Sequence, residues 1–291
     1  MERMEIRLER GEALIVDGAM GTLLQAAGLQ PGECPELWCL THPDVLRDIH
    51  RAYRDAGSVI TKTNSFGASR FKLKQYGLAD KVYEINKTAA ALARENNGKF
   101  VLGCIGPTGE FMEPCGDVTE EEMIAAFTEQ AQALRDGGAD AVTFETMSAI
   151  EECVAGIKAA KTIPGLVVFA SFTFEKQARG NYASMMGVTP AQFAQAAIGA
   201  GADVIGANCG HGAEQMVEII RQIAGECHSP LPIAAMPNAG LPTLVDGATT
   251  FPGTPDEFAA DIIRFHAAGA TILGGCCGST PAHIQAAKSM F

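Results

Sequence analysis

A barrel of eight parallel strands, each followed by a helix, is the fold class that this 291-residue sequence predicts, and it does so through repetition, spacing and one missing motif. One pattern recurs four times: an alanine-rich helical stretch ends in glycine, a small residue follows, and a short apolar run begins. It reads Ala56-Gly57-Ser58-Val59-Ile60, Gly138-Ala139-Asp140-Ala141-Val142, Gly201-Ala202-Asp203-Val204-Ile205 and Gly269-Ala270-Thr271-Ile272. Glycine just past a helix end takes a left-handed cap, so each copy is a helix-to-strand turn. Filling the gaps by the same logic places strands near 13–16, 58–61, 100–105, 141–144, 166–171, 203–206, 232–235 and 271–273. Their spacing of about 37 residues is that of a βαβ repeat. The first strand-to-helix turn, Asp17-Gly18-Ala19-Met20-Gly21-Thr22, lacks the G-x-G-x-x-G spacing of a doubly wound dinucleotide fold, which is the rival architecture.

In chain order, residues 1–12 read as a short charged preamble, and residues 1–291 as a single domain without a Pro/Ser-rich linker. Cys34 to Trp38 fall in an irregular Pro/Gly-containing insertion before a helix expected at about 45–56. Thr280-Pro281 starts the last helix, because proline is favoured at the first helical position. With 47% hydrophobic residues the chain can bury a sizeable core. Its net charge of −12, from 22 basic and 34 acidic residues, makes nucleic acid and anionic membrane surfaces poor partners. The charged N-terminus has no apolar h-region, and no run approaches the roughly 18 apolar residues of a membrane span, so a cytoplasmic location is expected. Nine cysteines, an odd number in a long chain with no secretion signal, read as reduced thiols open to metals.

Loops after the strands form the active face of such a barrel. Collected there are Asp17, Asn64, Gly106-Pro107-Thr108-Gly109, Glu145-Thr146, Asn208-Cys209-Gly210, Pro237-Asn238-Ala239-Gly240 and Gly274-Gly275-Cys276-Cys277-Gly278. The adjacent cysteines 276 and 277 admit three readings. A vicinal disulfide is strained, because neighbouring Cα atoms lie about 3.8 Å apart where a disulfide prefers roughly 4.4–6.8 Å. Two inert core thiols fit badly between glycines. A zinc site binds both as thiolates, and Cys209, from strand six, is the natural third ligand. Three cysteines and one open position describe a catalytic zinc, whereas a structural site would normally show four ligands. His211 is either a fourth ligand or a loop histidine. Cys153 and Cys227 read as helix packing residues and Cys104 as strand core, while Cys34, Cys39 and Cys115 lie in or beside loops with no partner at metal-like spacing. Asp17 and Glu145 are either helix caps or, facing one barrel mouth with a metal, a site for a cationic substrate group. Asn64, Asn208 and Asn238 are either turn residues or substrate donors.

Taken in order, the motifs Asp17-Gly18-Ala19-Met20-Gly21-Thr22, Thr63-Asn64-Ser65-Phe66, Gly106-Pro107-Thr108-Gly109, Phe144-Glu145-Thr146, Asn208-Cys209 and Gly274-Gly275-Cys276-Cys277-Gly278 resemble the zinc-dependent homocysteine methyltransferase family. Glu110-Phe111, Glu113-Pro114 and Pro242 bring the chain nearer the homocysteine-binding module of cobalamin-dependent synthases. The resemblance implies that Cys209, Cys276 and Cys277 bind Zn²⁺ and that Asp17 and Glu145 hold the amino group of homocysteine. It assigns Asn208 and the backbone of Gly18 and Ala19 to the carboxylate, and Asn64 joins the substrate contacts. Methylcobalamin would then act indirectly, on a separate corrinoid protein docked on the face carrying residues 110–117 and the Cys276 turn. The competing donors are S-methylmethionine, S-adenosylmethionine or betaine, and a non-catalytic zinc-binding partner protein is the competing class. The resemblance fixes no role for His211 or Lys62.

Overall fold

The computed structural model describes residues 3–96, 99–210, 212–226, 231–245 and 248–291; His211 and Cys227 lie outside the described residues. Eight parallel strands are present: β1 (Leu14–Ile15), β2 (Ile60–Lys62), β3 (Phe100–Ile105), β4 (Ala141–Met147), β5 (Val167–Phe172), β6 (Val204–Cys209), β7 (Ile233–Pro237) and β8 (Ile272–Leu273). Their spatial order is β1-β8-β7-β6-β5-β4-β3-β2. A parallel bridge between Val16 and Ile60 joins the two ends. Across it the Val59 N–H donates to Ile15 O at 2.7 Å and the Asp17 N–H to Ile60 O at 3.0 Å. The sheet is therefore a (β/α)₈ barrel.

Every expected strand is found. The helix-to-strand glycines behave as a left-handed cap requires, with φ of 97° at Gly57, 103° at Gly138, 93° at Gly201 and 116° at Gly269. The outer ring is α1 (Pro43–Asp55), α2 (Val82–Asn96), α3 (Glu120–Asp136), α4 (Ile150–Lys161), α5 (Pro190–Ala200), α6 (Ala213–Glu226), α7 (Pro255–Ala267) and α8 (Pro281–Lys288). Thr119, Thr189 and Thr254 start α3, α5 and α7 with capping boxes, closed by Glu122, Gln192 and Glu257. No helix among the described residues is long and apolar enough to cross a membrane.

Two apolar layers hold the barrel. Alternate strand residues, among them Leu14, Val16, Ile60, Leu102, Phe169, Val204, Met236 and Ile272, fill the lumen in one cluster. The intervening residues, such as Ile15, Val101, Phe144, Phe172 and Ile205, pack outward against the helices. The preamble turns out to be structural: Met4–Glu9 is a helix, and its Met4 and Leu8 belong to the lumen cluster and close the barrel floor. The insertion is also less irregular than expected, with a 3₁₀ turn at Pro35–Leu37 running into a short helix at Trp38–Thr41.

Candidate metal centre and substrate cavity

Strand alternation puts the site in place. Two residues beyond lumen residues Ile60, Leu102 and Thr143, or four beyond Ile272, come Lys62, Cys104, Glu145 and Cys276, and all four line a cavity of about 310 Å³ at the carboxyl ends of the strands. Ala19, Asn64, Thr146, Cys209 and Cys277 line it as well, as does a further acid, Glu36.

Cys209 should break this pattern, since Asn208 before it is the inward residue. It returns to the mouth because its backbone is left-handed, with φ of 59°; Thr146, after Glu145, shares the feature at 62°. A β-turned cysteine and a β-branched threonine pay on the order of 1–3 kcal/mol each for that conformation, so something must impose it. Asn208 does. Its Oδ1 accepts from Thr146 N–H and from Ser171 Oγ, both at 2.8 Å, and its Nδ2 donates to Thr146 Oγ1 at 2.8 Å and to Cys209 Sγ at 3.4 Å. Asn208, which is 1% exposed, thus spends its amide on positioning two strained residues.

The sulfurs of Cys209, Cys276 and Cys277 all lie within 4.8 Å of one another. Cys209 and Cys276 are 2.9 Å apart, and Cys276 and Cys277 are 4.0 Å apart. Tetrahedral zinc with Zn–S bonds near 2.3 Å spaces its sulfurs about 3.8 Å apart, which the trio reaches by small side-chain rotations. Hydrogen bonds from Cys209 and Cys276 hold the Cys277 thiol below the ordinary range, whereas the same contacts push Cys209 well up. One negative charge is therefore easily shared, and three thiolates together require a cation. Asn208 Nδ2, 4.0 Å from Cys276 Sγ, supplies an N–H toward the thiolate pair.

Of the two acids expected at the mouth, Glu145 lines the cavity, whereas Asp17 is buried outside its lining. Burial pushes Asp17 up to about 7, with Lys62 opposing it and Glu145 adding to it. Its Oδ2 accepts from the Lys62 backbone N–H at 2.9 Å. Its Oδ1 is buried with no hydrogen-bond partner among the described residues, as is Asn238 Oδ1. Such an orphan costs about 1–3 kcal/mol until a donor arrives. Burial also raises Glu145, whose Oε1 accepts from the Cys104 thiol at 2.9 Å. An ammonium group placed here would satisfy the orphan and hold both acids ionised.

The remaining expected residues fall as follows. Asn64 Nδ2 donates to Pro35 O at 2.8 Å, fixing the insertion over the cavity. The Ala19 N–H is spent on Ser279, at 3.1 Å to Oγ. Gly18 is buried beneath the cavity, where a Cβ would lie 2.7 Å from both Ser279 Oγ and Tyr53 Oη, so only glycine fits. Cys153 is a buried packing residue. Cys34 and Cys39 are buried and donate to Glu36 Oε2 and Asn64 O, each at 3.4 Å. Cys104, expected in the core, is part of the cavity wall, and Lys62 enters it without any assigned role; continuing the lumen alternation by one more step would have found both.

A sequence model of the homocysteine S-methyltransferase family matches residues 14–291. The methionine synthases of Mycobacterium tuberculosis and Mycobacterium leprae are each 36% identical over 94% of this chain. The chain spans about a quarter (24%) of their length. The homocysteine methyltransferase MmuM from Escherichia coli in its metallated form superposes with a TM-score of 0.80 at 24% identity, over 98% of this chain and 99% of that one. Its apo form gives 0.75. A match running from the first strand to the last residue, and taking in all three clustered cysteines, leaves one conclusion: this chain belongs to the homocysteine S-methyltransferase family.

Proposed function

We propose that this chain is a zinc-dependent methyltransferase that binds homocysteine through its sulfur and returns methionine, with a methylcorrinoid on a separate protein as donor. The observation that carries the reading is the convergence of three cysteine sulfurs within 4.8 Å on a cavity that Glu145 also lines. Cys209, Cys276 and Cys277 would hold the metal. When bound, zinc lowers the pKa of a coordinated thiol so far that the sulfur is a thiolate at neutral pH, where a free alkyl thiol near 8.5 is not.

The chain's own residues do the rest. Glu145 on the cavity wall, with the unpartnered Asp17 Oδ1 buried outside the lining, takes the substrate ammonium, which fixes the direction in which the sulfur points. Asn208 keeps Cys209 and Thr146 in their strained conformations, so the thiol trio is preorganised before substrate arrives. The substrate proton leaves to solvent on binding, and the methyl step then needs no base, consistent with a wall that contains no histidine among its described residues.

The corrinoid reading is supported by the methionine synthases among the relatives, and by apolar residues exposed on loops around the mouth. Phe111 after β3, Met185 after β5 and Leu244 after β7 are 57%, 78% and 76% exposed. Apolar side chains ringing a polar cavity suit a partner that covers it. To test the reading, zinc-loaded protein and homocysteine are mixed with free methylcobalamin, a methylated corrinoid protein, S-methylmethionine, S-adenosylmethionine or betaine, and methionine is measured. The corrinoid protein should be the best donor. Faster turnover with a sulfonium or betaine overturns the donor assignment, and methionine from none of them favours a non-catalytic zinc protein.

A further inference from the structure

One charged group in the cavity has no part in the chemistry above. Lys62 ends β2 and lines the cavity while only 8% exposed. Its Nζ donates to Gly275 O at 3.0 Å, one residue before Cys276. An ammonium carries three N–H donors, so two remain for a ligand. Burial alone would lower its pKa, but the negative fields of Glu145, Asp17 and Cys276 outweigh burial and raise it. It is a permanent cation, and among the described residues that line the cavity it is the only lysine or arginine.

An amino-acid thiol brings a carboxylate as well as an ammonium. Of the groups expected to receive that carboxylate, the Ala19 N–H is committed to Ser279 and the Asn208 amide to Thr146, Ser171 and Cys209, while Gly18 is not among the residues that line the cavity. The carboxylate also has to enter beside two acids and a thiolate cluster. Like charges 4 Å apart repel by about 4 kcal/mol at an effective dielectric of 20, and a cation beside the carboxylate offsets that repulsion.

We propose that Lys62 receives the α-carboxylate of the thiol substrate and is a specificity-determining residue for zwitterionic thiols. This rests on the homocysteine reading. The ammonium end goes to Asp17 and Glu145, the carboxylate end to Lys62 Nζ, and the sulfur to the cysteine trio. A thiol that lacks either charged group forfeits one of these contacts.

The test is calorimetric binding to the zinc-loaded full chain. Three ligands are compared: homocysteine, 3-aminopropane-1-thiol, which lacks the carboxylate, and 4-mercaptobutanoate, which lacks the ammonium. Lys62→Met should weaken homocysteine and 4-mercaptobutanoate by about 10- to 100-fold, the range for a hydrogen bond to a charged group, and leave 3-aminopropane-1-thiol within about threefold. Lys62→Arg should recover part of the loss. A purely structural lysine, there to balance buried acids, predicts equal losses for all three ligands, and that result overturns the proposal. Should Lys62→Met fail to fold, the wild-type chain decides: 4-mercaptobutanoate should bind at least about tenfold tighter than 1-propanethiol, and equal affinities overturn the assignment. Binding of the uncharged thiol with no carboxylate preference sinks Lys62 alone. No binding by any thiol sinks the homocysteine reading with it.

Discussion

In the lower lumen Leu14, Ile60, Leu102, Phe169, Val204 and Ile272 meet Met4 and Leu8 of the N-terminal helix in an unbroken apolar cluster. Further along the same strands the wall positions are Lys62, Cys104, Glu145 and Cys276, with the left-handed Cys209 and Thr146 beside them. The lower layers gain stability from burial, at about 25 cal/mol per Å² of apolar surface. The upper layer gives some of it back in buried charge, orphaned oxygens and backbone strain. Stability and chemistry thus occupy successive rungs of one ladder, and they should respond to different mutations.

The largest effect should come from the upper rung. Replacing Cys209, Cys276 or Cys277 by Ala should take zinc from about one per chain to near zero and abolish methionine formation, while the unfolding midpoint of the metal-free chain shifts little. Full zinc in all three variants, by metal analysis, would remove the site. The lower rung should do the reverse. Phe169→Ala should cost about 3–5 kcal/mol of stability through the cavity it leaves, with zinc content per folded chain unchanged; denaturant unfolding and metal analysis of the same samples separate the two.

His50 extends the contrast to the helix layer. It is fully buried on α1, and neither ring nitrogen has a hydrogen-bond partner among the described residues. Burial pushes its pKa down to about 4. Below about 6.5 the unfolded chain takes up the proton first, so stability should fall between about pH 6.5 and 4, by on the order of 3 kcal/mol, and level off below. His50→Leu should flatten that limb of a thermal-midpoint profile against pH; an unchanged slope would place the acid sensitivity elsewhere. The smallest effect is expected at the substrate end. Glu145→Gln should weaken homocysteine binding by about tenfold, a charged hydrogen bond made neutral, and leave the zinc bound. Unchanged affinity by calorimetry would take Glu145 out of the ammonium site.

Much of the barrel is readable in the sequence because its signals are local. A left-handed glycine at 57, 138, 201 or 269 announces the end of a helix whatever surrounds it, and an apolar run announces a strand buried on both faces. Cysteines 209, 276 and 277 stand out because soft ligands at strand ends have few other uses. Lys62 and Cys104 are harder to see. In the linear sequence they are a lysine after a strand and a thiol within one, and only the inward phase of β2 and β3 gives them a common wall. The helix at Met4–Glu9 is equally opaque, since its six residues are too few to be helical alone and are held by the lumen they plug. The strain at Thr146 and Cys209 depends on Asn208, which acts on Thr146 across 62 positions of sequence.

The last turn of the barrel is fastened to the first. Tyr53 Oη donates to Ala19 O at 2.8 Å and to Ser279 O at 3.0 Å, and the Gly275 N–H donates to Asp17 O at 3.0 Å. The stretch that carries Cys276 and Cys277 is therefore the latch that shuts the barrel. Asp17, Lys62 and Glu145 thus sit at strands one, two and four, while the second and third sulfurs come only with the strand that closes the ring. A metal held by all three sulfurs would therefore need the closed barrel. Fragments that stop before the last strand should lack the three-sulfur site however well their other strands fold.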